Sequence, residues 1–157
     1  MVMGKTIIFR ELIDDDKKSL QKFLSDLSEE VFNKWRHYSG EIVDEIYKEF
    51  SYKLIGLDDE KIVAYSCLVP NIEYPDTPAL GGIVVADEYQ GRGIASSMIR
   101  KLEKWAKEKY YKFIFLTTFK SNHNAYNFYK KMGYKVIDEV ERYGILSYAM
   151  KKNIEGK

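Results

Sequence analysis

Six residues, Gln90-Gly91-Arg92-Gly93-Ile94-Ala95, restrict the fold more than any other stretch of the chain. Before them runs Gly82-Ile83-Val84-Val85-Ala86, short, apolar and β-branched, which predicts a buried strand. After them Ile94, Ala95, Met98, Ile99, Leu102, Trp105 and Ala106 recur at spacings of three and four, the stripe of an amphipathic helix reaching about Lys109. A strand that passes through a glycine-rich turn into a helix makes a phosphate site. Glycine lets the backbone come close to the ligand, and the first free N–H groups of the helix point at the anion with the helix dipole behind them.

Two common phosphate folds fail on specific residues. A dinucleotide fold requires a third glycine where Ser96 stands and a carboxylate at the tip of the next strand, which here ends Leu116-Thr117-Thr118. A P-loop requires Gly-Lys-Ser/Thr, and the turn lacks that triplet. A nucleotide-binding domain of the dinucleotide type therefore stands as a remote third reading.

The turn resembles that of the GNAT superfamily of acetyl-CoA-dependent N-acetyltransferases. The family's Gln/Arg-x-x-Gly-x-Gly/Ala is met by Gln90, Gly93 and Ala95. A second block, Ser121-Asn122-x-x-Ala125-x-x-Phe128-Tyr129-x-x-x-Gly133-Tyr134, is similar to the family's later helix. The two blocks stand at the expected separation, with a helix and a strand between them. The specific motifs lie between residues 82 and 134.

The rest of the chain reads in the same sense. Thr6 to Arg10 predicts a strand, and Asp14-Asp15-Asp16 opens a helix with Leu20, Phe23, Leu24 and Leu27 on its buried side. A second helical stretch starts at Ser28 and continues after Gly40 to Phe50. Tyr52 to Leu57 and Ile62 to Val69 predict a hairpin closed by Asp58-Asp59-Glu60-Lys61. Pro70 to Pro78 is a loop, Leu80 to Ala86 the central strand, and Lys112 to Thr118 a strand parallel to it through the helix. Ser121 is expected to cap the next helix and Gly133 to end it. Tyr134 to Glu141 and Ile145 to Met150 predict a final antiparallel pair around Tyr143-Gly144. The class is α/β with a mixed sheet. The order β-α-α-β-β-β-α-β-α-β-β is that of the GNAT fold, and residues 1–157 are expected to be one N-acetyltransferase domain.

Composition narrows the setting. No apolar run approaches the roughly 20 residues that span a bilayer, and Met1 to Lys5 leads into a strand without a signal-peptide core. Cys67 is the only cysteine, which excludes an internal disulfide and favours the reducing cytoplasm. With one cysteine and two histidines, no metal site is expected. Residues 1–99 carry 11 Lys/Arg against 18 Asp/Glu, whereas residues 100–135 carry 10 against 2. A basic half suits a multiply charged anion such as CoA and an acidic half a cationic amine, although solvated helix faces give the same counts. A uniformly basic nucleic-acid footprint is absent.

The resemblance assigns chemistry. Gly91, Gly93, Ile94, Ala95 and Ser96 would cradle the CoA pyrophosphate through backbone amides, bracketed by Gln90 and by Arg92, which either touches phosphate or faces solvent. Ile83, Val84 and Val85 would pair their backbone with the peptide-like pantetheine arm, in an opening where the two parallel strands splay. Asn122 would contact CoA, and Tyr129 would act as the general acid that protonates the departing thiolate. The alternative is a helix cap for Asn122 and a core aromatic for Tyr129. Attack would be direct, in a ternary complex, because Cys67 stands in no nucleophile motif. The general base is open: Thr117 occupies the position where some relatives carry glutamate, which leaves Glu73, His37 and Glu141 as replacements and His123 as an exposed helix-start residue. Trp35, His37 and Tyr38 are candidate walls of the acceptor pocket. The acceptor would be a small-molecule or peptide amine, and a homodimer is compatible with the family. The competing reading is a CoA-binding regulatory module whose catalysis has decayed.

Overall fold

The computed structural model describes residues 6–31, 52–71, 74–142 and 144–155. In chain order these form β1 (Ile8–Glu11), α1 (Lys17–Asp26), β2 (Tyr52–Asp58), β3 (Lys61–Val69), β4 (Ala79–Val85), α2 (Ile94–Glu108), β5 (Phe113–Phe119), α3 (His123–Lys131), β6 (Lys135–Arg142) and β7 (Ile145–Asn153). The second helical stretch expected from Ser28 to Phe50 lies outside the described residues beyond Val31. Trp35, His37, Tyr38 and Glu73 lie outside them too.

The seven strands make one mixed sheet, ordered β1-β2-β3-β4-β5-β7-β6. Among the described strands only β4 and β5 run parallel, as a connection through α2 requires. The triple aspartate forms a short 3-10 turn before α1 rather than the first turn of an α-helix. Its last member is drawn into other bonds: the Arg10 guanidinium donates to both Asp16 oxygens at 2.7 and 2.8 Å, and the Ile13 N–H donates to Oδ2 at 2.9 Å. The Arg10 hydrogen bond holds the Asp16 carboxyl below its usual range. This fork ties β1 to the entry of α1.

The central strand departs from simple alternation. Leu80 of β4 faces Leu68 of β3, but Ile83 faces Ser66, so three steps on one strand match two on the other. The extra residue is absorbed at Gly81-Gly82, where Gly82 has φ +104°, a region open to glycine and costly to most other residues. Ser66 Oγ donates to Gly82 O at 2.7 Å and fixes the bulge. Past it the faces exchange. Val84 points into the layer shared with α1, among Leu20, Phe23, Leu24, Ile55 and Tyr65, while Ile83 and Val85 pack toward α2.

The sheet is covered on both faces. The α1 side is built on Leu20, Phe23, Leu24, Ile55, Leu57, Ile62, Tyr65 and the buried Cys67. The other side gathers Ile94, Met98, Ile99, Leu102 and Ala106 of α2 with Leu54, Leu68, Ile114, Leu116 and Met150. Leu102 is 1 % exposed at the middle of this layer. Leu102→Ala is expected to remove about 2–5 kcal/mol of stability through lost burial and a residual cavity, read as a fall in the chemical-denaturation midpoint.

The feature that makes room for a ligand is a parting of strands. β4 and β5 share a single register pair, Ala79 with Phe115. The Phe115 N–H donates to Pro78 O at 3.0 Å and the Lys112 N–H to Asp76 O at 3.1 Å, so the two strands meet at one end. Beyond Phe115 the ladder of β5 runs with β7 as far as Phe119 opposite Ser147, and that of β4 with β3. The sheet opens between them, as the resemblance implied.

Candidate active site

The opening continues into a cleft of about 610 Å³, within the range of small-molecule sites. β4 contributes Ile83 and Val85; the turn contributes Tyr89, Gln90, Gly91 and Gly93; α2 contributes Ile94, Ala95 and Ser96; and α3 contributes Asn124, Ala125, Phe128 and Tyr129. Two motifs separated by a helix and a strand in sequence thus share one wall.

The turn is shaped by glycine. Gly91 and Gly93 have φ +76° and +79°, and a Cβ built on Gly91 would meet nothing within 4 Å, on Gly93 only Ser96 Oγ at 3.9 Å. Open space beside a left-handed backbone is what a ligand approaching the main chain needs. Gly93 is the N-cap of α2 and has no side chain to offer. The first rung of the helix, Ser97 N–H to Gly93 O at 3.1 Å, leaves the amides of Ile94, Ala95 and Ser96 without an intrahelical acceptor. No acidic residue stands in that first turn. The N-terminal end of α2 therefore presents free amides with the positive end of the helix dipole behind them, an arrangement suited to an anion.

The bracketing side chains are engaged locally. Gln90 Nε2 donates to Val85 O at 3.1 Å, and Arg92 Nη2 donates to Glu88 O at 2.8 Å with its guanidinium 5.0 Å from the centroid of the Tyr89 ring. Arg92 is exposed beside the turn and does not line the cleft. Val84 is the central-strand residue whose side chain turns away, by virtue of the bulge, although its backbone belongs to the strand edge along the opening.

At the second motif the helix cap differs from expectation. Asn122, not Ser121, is the N-cap of α3, and its Oδ1 accepts from the Ala125 N–H at 3.2 Å. The backbone turns one residue later because Asn122 N–H is still bonded to Phe119 O at 3.0 Å. Asn122 is half-buried at the helix start, and Asn124, which the sequence did not single out, lines the cleft. Asn124 stands one turn before Phe128 on the face that also carries Ala125 and Tyr129, and that spacing was the available signal.

Tyr129 is 9 % exposed, with its ring edge-on to Phe128 at 5.3 Å and to Tyr134 at 6.1 Å. Gly133, φ +99°, ends the helix, and the Tyr134 N–H donates to Tyr129 O at 3.0 Å. Tyr134 is a different kind of phenol. Burial first, then the Glu103 carboxylate, pushes it far above the usual range. Its hydroxyl donates to Glu103 Oε2 at 3.0 Å, and Lys152 Nζ donates to both Glu103 oxygens at 2.9 and 3.0 Å. Tyr134 is locked into structure, whereas Tyr129 lines the cleft.

Of the candidate bases, Glu141 falls among the described residues, as does His123, whereas His37 and Glu73 fall outside them. Thr117 is half-buried on the strand face opposite that of Leu116 and Thr118. Glu141 is exposed on β6 opposite Leu146, and His123 is exposed as the first residue of α3. Among the described residues no group of three or more His, Cys, Asp or Glu could hold a metal ion, and no helix is long and apolar enough to cross a membrane.

Comparison with known proteins agrees with this geometry. Residues 10–134 match the Acetyltransferase (GNAT) family. The chain belongs to that family and is a GNAT acetyltransferase. A stretch of 60 residues is 40 % identical to the uncharacterized N-acetyltransferase YobR of Bacillus subtilis, covering 38 % of this chain and 24 % of that protein. The match thus spans about a quarter of that relative's length. The GNAT domain of S. lividans PAT superposes with a TM-score of 0.81 at 16 % identity, covering 96 % of this chain and 92 % of that one. The PaiA N-acetyltransferase of Thermoplasma acidophilum, solved in complex with coenzyme A, gives 0.73 at 20 % identity, covering 94 % and 99 %. At these identities the likeness to the solved structures is one of fold.

Proposed function

We propose that this acetyltransferase moves the acetyl group of acetyl-CoA to a primary amine by direct attack in a ternary complex. The observation that carries the reading is the coincidence of three things in one cleft: the parted strands, the uncapped glycine turn and Tyr129. The amides from Gly91 to Ser96 hold the pyrophosphate, with Gln90 and Arg92 securing the turn. The edge of β4 at Ile83, Val84 and Val85 that β5 does not pair satisfies the amides of the pantetheine arm as a neighbouring strand would, with Val85 O shared with Gln90 Nε2. Asn122 caps α3 and sets Asn124 and Tyr129 toward the bound co-substrate.

The amine nitrogen attacks the thioester carbonyl, a backbone N–H near Val84 or Val85 stabilises the developing oxyanion, and the carbon–sulfur bond breaks. The Tyr129 hydroxyl gives its proton to the leaving thiolate, and the acceptor's extra proton passes to water or a base. Threonine at position 117 cannot serve as that base. The excess of acids in residues 1–99, 18 against 11 cations, favours a cationic amine, small molecule or peptide, as acceptor. We place the activity in one domain in a reducing cytoplasm, where the buried Cys67 stays a thiol.

Calorimetric titration with acetyl-CoA, alongside CoA, NAD and ATP, tests the reading. Acetyl-CoA and CoA are expected to bind with micromolar affinity and NAD and ATP to give no heat. Heat from NAD or ATP without heat from acetyl-CoA would overturn it. A panel of amines assayed for thiol release then separates an enzyme from a CoA-binding module that has lost turnover.

A further inference from the structure

Tyr89 lines the cleft, yet its hydroxyl is committed elsewhere: it donates to Oδ2 of Asp58, the last residue of β2. Asp58 is 8 % exposed and pairs across the mouth of the β2–β3 hairpin with Lys61. The backbone makes a second tie, because the Ala86 N–H donates to Val63 O at 2.8 Å and the Tyr89 N–H to Ala86 O at 2.9 Å. The short helical turn Asp87–Tyr89 is therefore bonded to the hairpin at both ends, immediately before the glycine turn. Downstream, Tyr89 supports Arg92, whose guanidinium lies over its ring.

A turn with glycine at positions 91 and 93 has wide conformational freedom, and ordering it opposes binding unless something holds it beforehand. Within the turn, Gln90 reaches back to the Val85 carbonyl at the end of β4 and Arg92 to the Glu88 carbonyl, both in the same chain segment. Tyr89 is the side chain that ties this segment to a rigid hairpin.

We propose that Asp58 is a positioning residue for the co-substrate site, acting through Tyr89 to preset the glycine turn and to hold Arg92 beside it. This rests on the reading of the turn as the phosphate cradle of acetyl-CoA. The hydrogen bond to Asp58, with burial behind it, raises the Tyr89 phenol above its usual range, so the hydroxyl remains a donor at any working pH. Lys61 Nζ, 5.9 Å from the ring on the hairpin side, and Arg92 on the turn side balance the carboxylate that would otherwise oppose a phosphate nearby.

The test compares Tyr89→Phe, Asp58→Ala, Asp58→Asn and the double variant Asp58→Ala/Tyr89→Phe. Tyr89→Phe keeps the ring under Arg92 and removes only the anchor. Both Tyr89→Phe and Asp58→Ala are expected to weaken acetyl-CoA binding about five- to tenfold, the size of one net hydrogen bond, with the loss falling on KM rather than kcat. Asp58→Asn, which retains an acceptor, is expected to recover most of the affinity. The double variant should bind no worse than the weaker single one, because both changes break the same link. Wild-type affinity in Tyr89→Phe, additive losses in the double variant, or a fall in kcat alone would overturn the proposal. If Asp58→Ala does not fold, Tyr89→Phe carries the test by itself. A wild-type protein that gives no heat with acetyl-CoA would instead sink the reading of the turn, so the two failures are distinguishable.

Discussion

Tyr129→Phe is expected to lower kcat by about 100-fold while leaving KM for acetyl-CoA close to its wild-type value. A positioned general acid contributes about 10²–10⁴ to a rate, and the thiolate leaving group needs only part of that help because it tolerates negative charge better than an alkoxide. The substitution keeps the ring, and with it the edge contacts to Phe128 and Tyr134 that seat the side chain in the α2 layer. The folded state should therefore survive, as circular dichroism can check, and the loss belongs to the chemical step. Undiminished turnover in Tyr129→Phe would return this residue to the status of a core aromatic. Tyr134 could not take its place, since its phenol is buried and bonded to Glu103.

Gly93→Val should abolish tight binding rather than slow the chemistry. A β-branched side chain at φ +79° carries about 1–2 kcal/mol of strain, and it stands where phosphate would approach the amides of Ile94 to Ser96. The space around Gly93 is open, so the free protein can relax enough to fold. The expected result is a dissociation constant for acetyl-CoA at least about 30-fold weaker, from strain and blocked approach together. Gly144→Val is the control. Its φ is +74° and its surroundings are equally open, but it sits in the turn before β7 and away from the cleft. Strain alone would make the two variants alike; a cradle at the head of α2 predicts lost affinity for Gly93→Val only.

Much of this site is local in sequence and could be read there. The α2 stripe, the glycine turn and the Asn122-to-Tyr134 block each depend on residues within one or two helical turns of one another, so periodicity and capping chemistry reveal them. The strand parting rests on contacts between β4 and β5 that no spacing rule encodes, and it entered through resemblance alone. Two other features escaped for related reasons. The Tyr89–Asp58 bond joins residues 31 apart in sequence, and a lone tyrosine before a turn carries no mark of its partner. The bulge had a visible sign in Gly81-Gly82, since paired glycines inside a strand weaken it without reason unless the backbone must bend. The one-residue error at the cap of α3 arose because Ser121 and Asn122 are both good caps, and the Phe119 carbonyl decides between them.

The bulge at Gly82 also rewrites the code by which β4 translates residue position into chemical role. A strand normally sends odd and even positions to fixed sides, so one mutational rule serves its whole length. Here the parity inverts midway: Leu80 before the bulge and Ile83 after it both answer to the α2 layer, whereas Val84 belongs to the opposite side. Selection on Ile83 and Val85 is free to follow the shape of a ligand while Val84, between them, follows the packing of α1. A single-residue deletion at Gly82 would restore plain alternation with Leu80 still opposite Leu68 and Ile83 opposite Ser66, so both allegiances would survive it; a deletion at Val84 would instead turn Val85 toward the core.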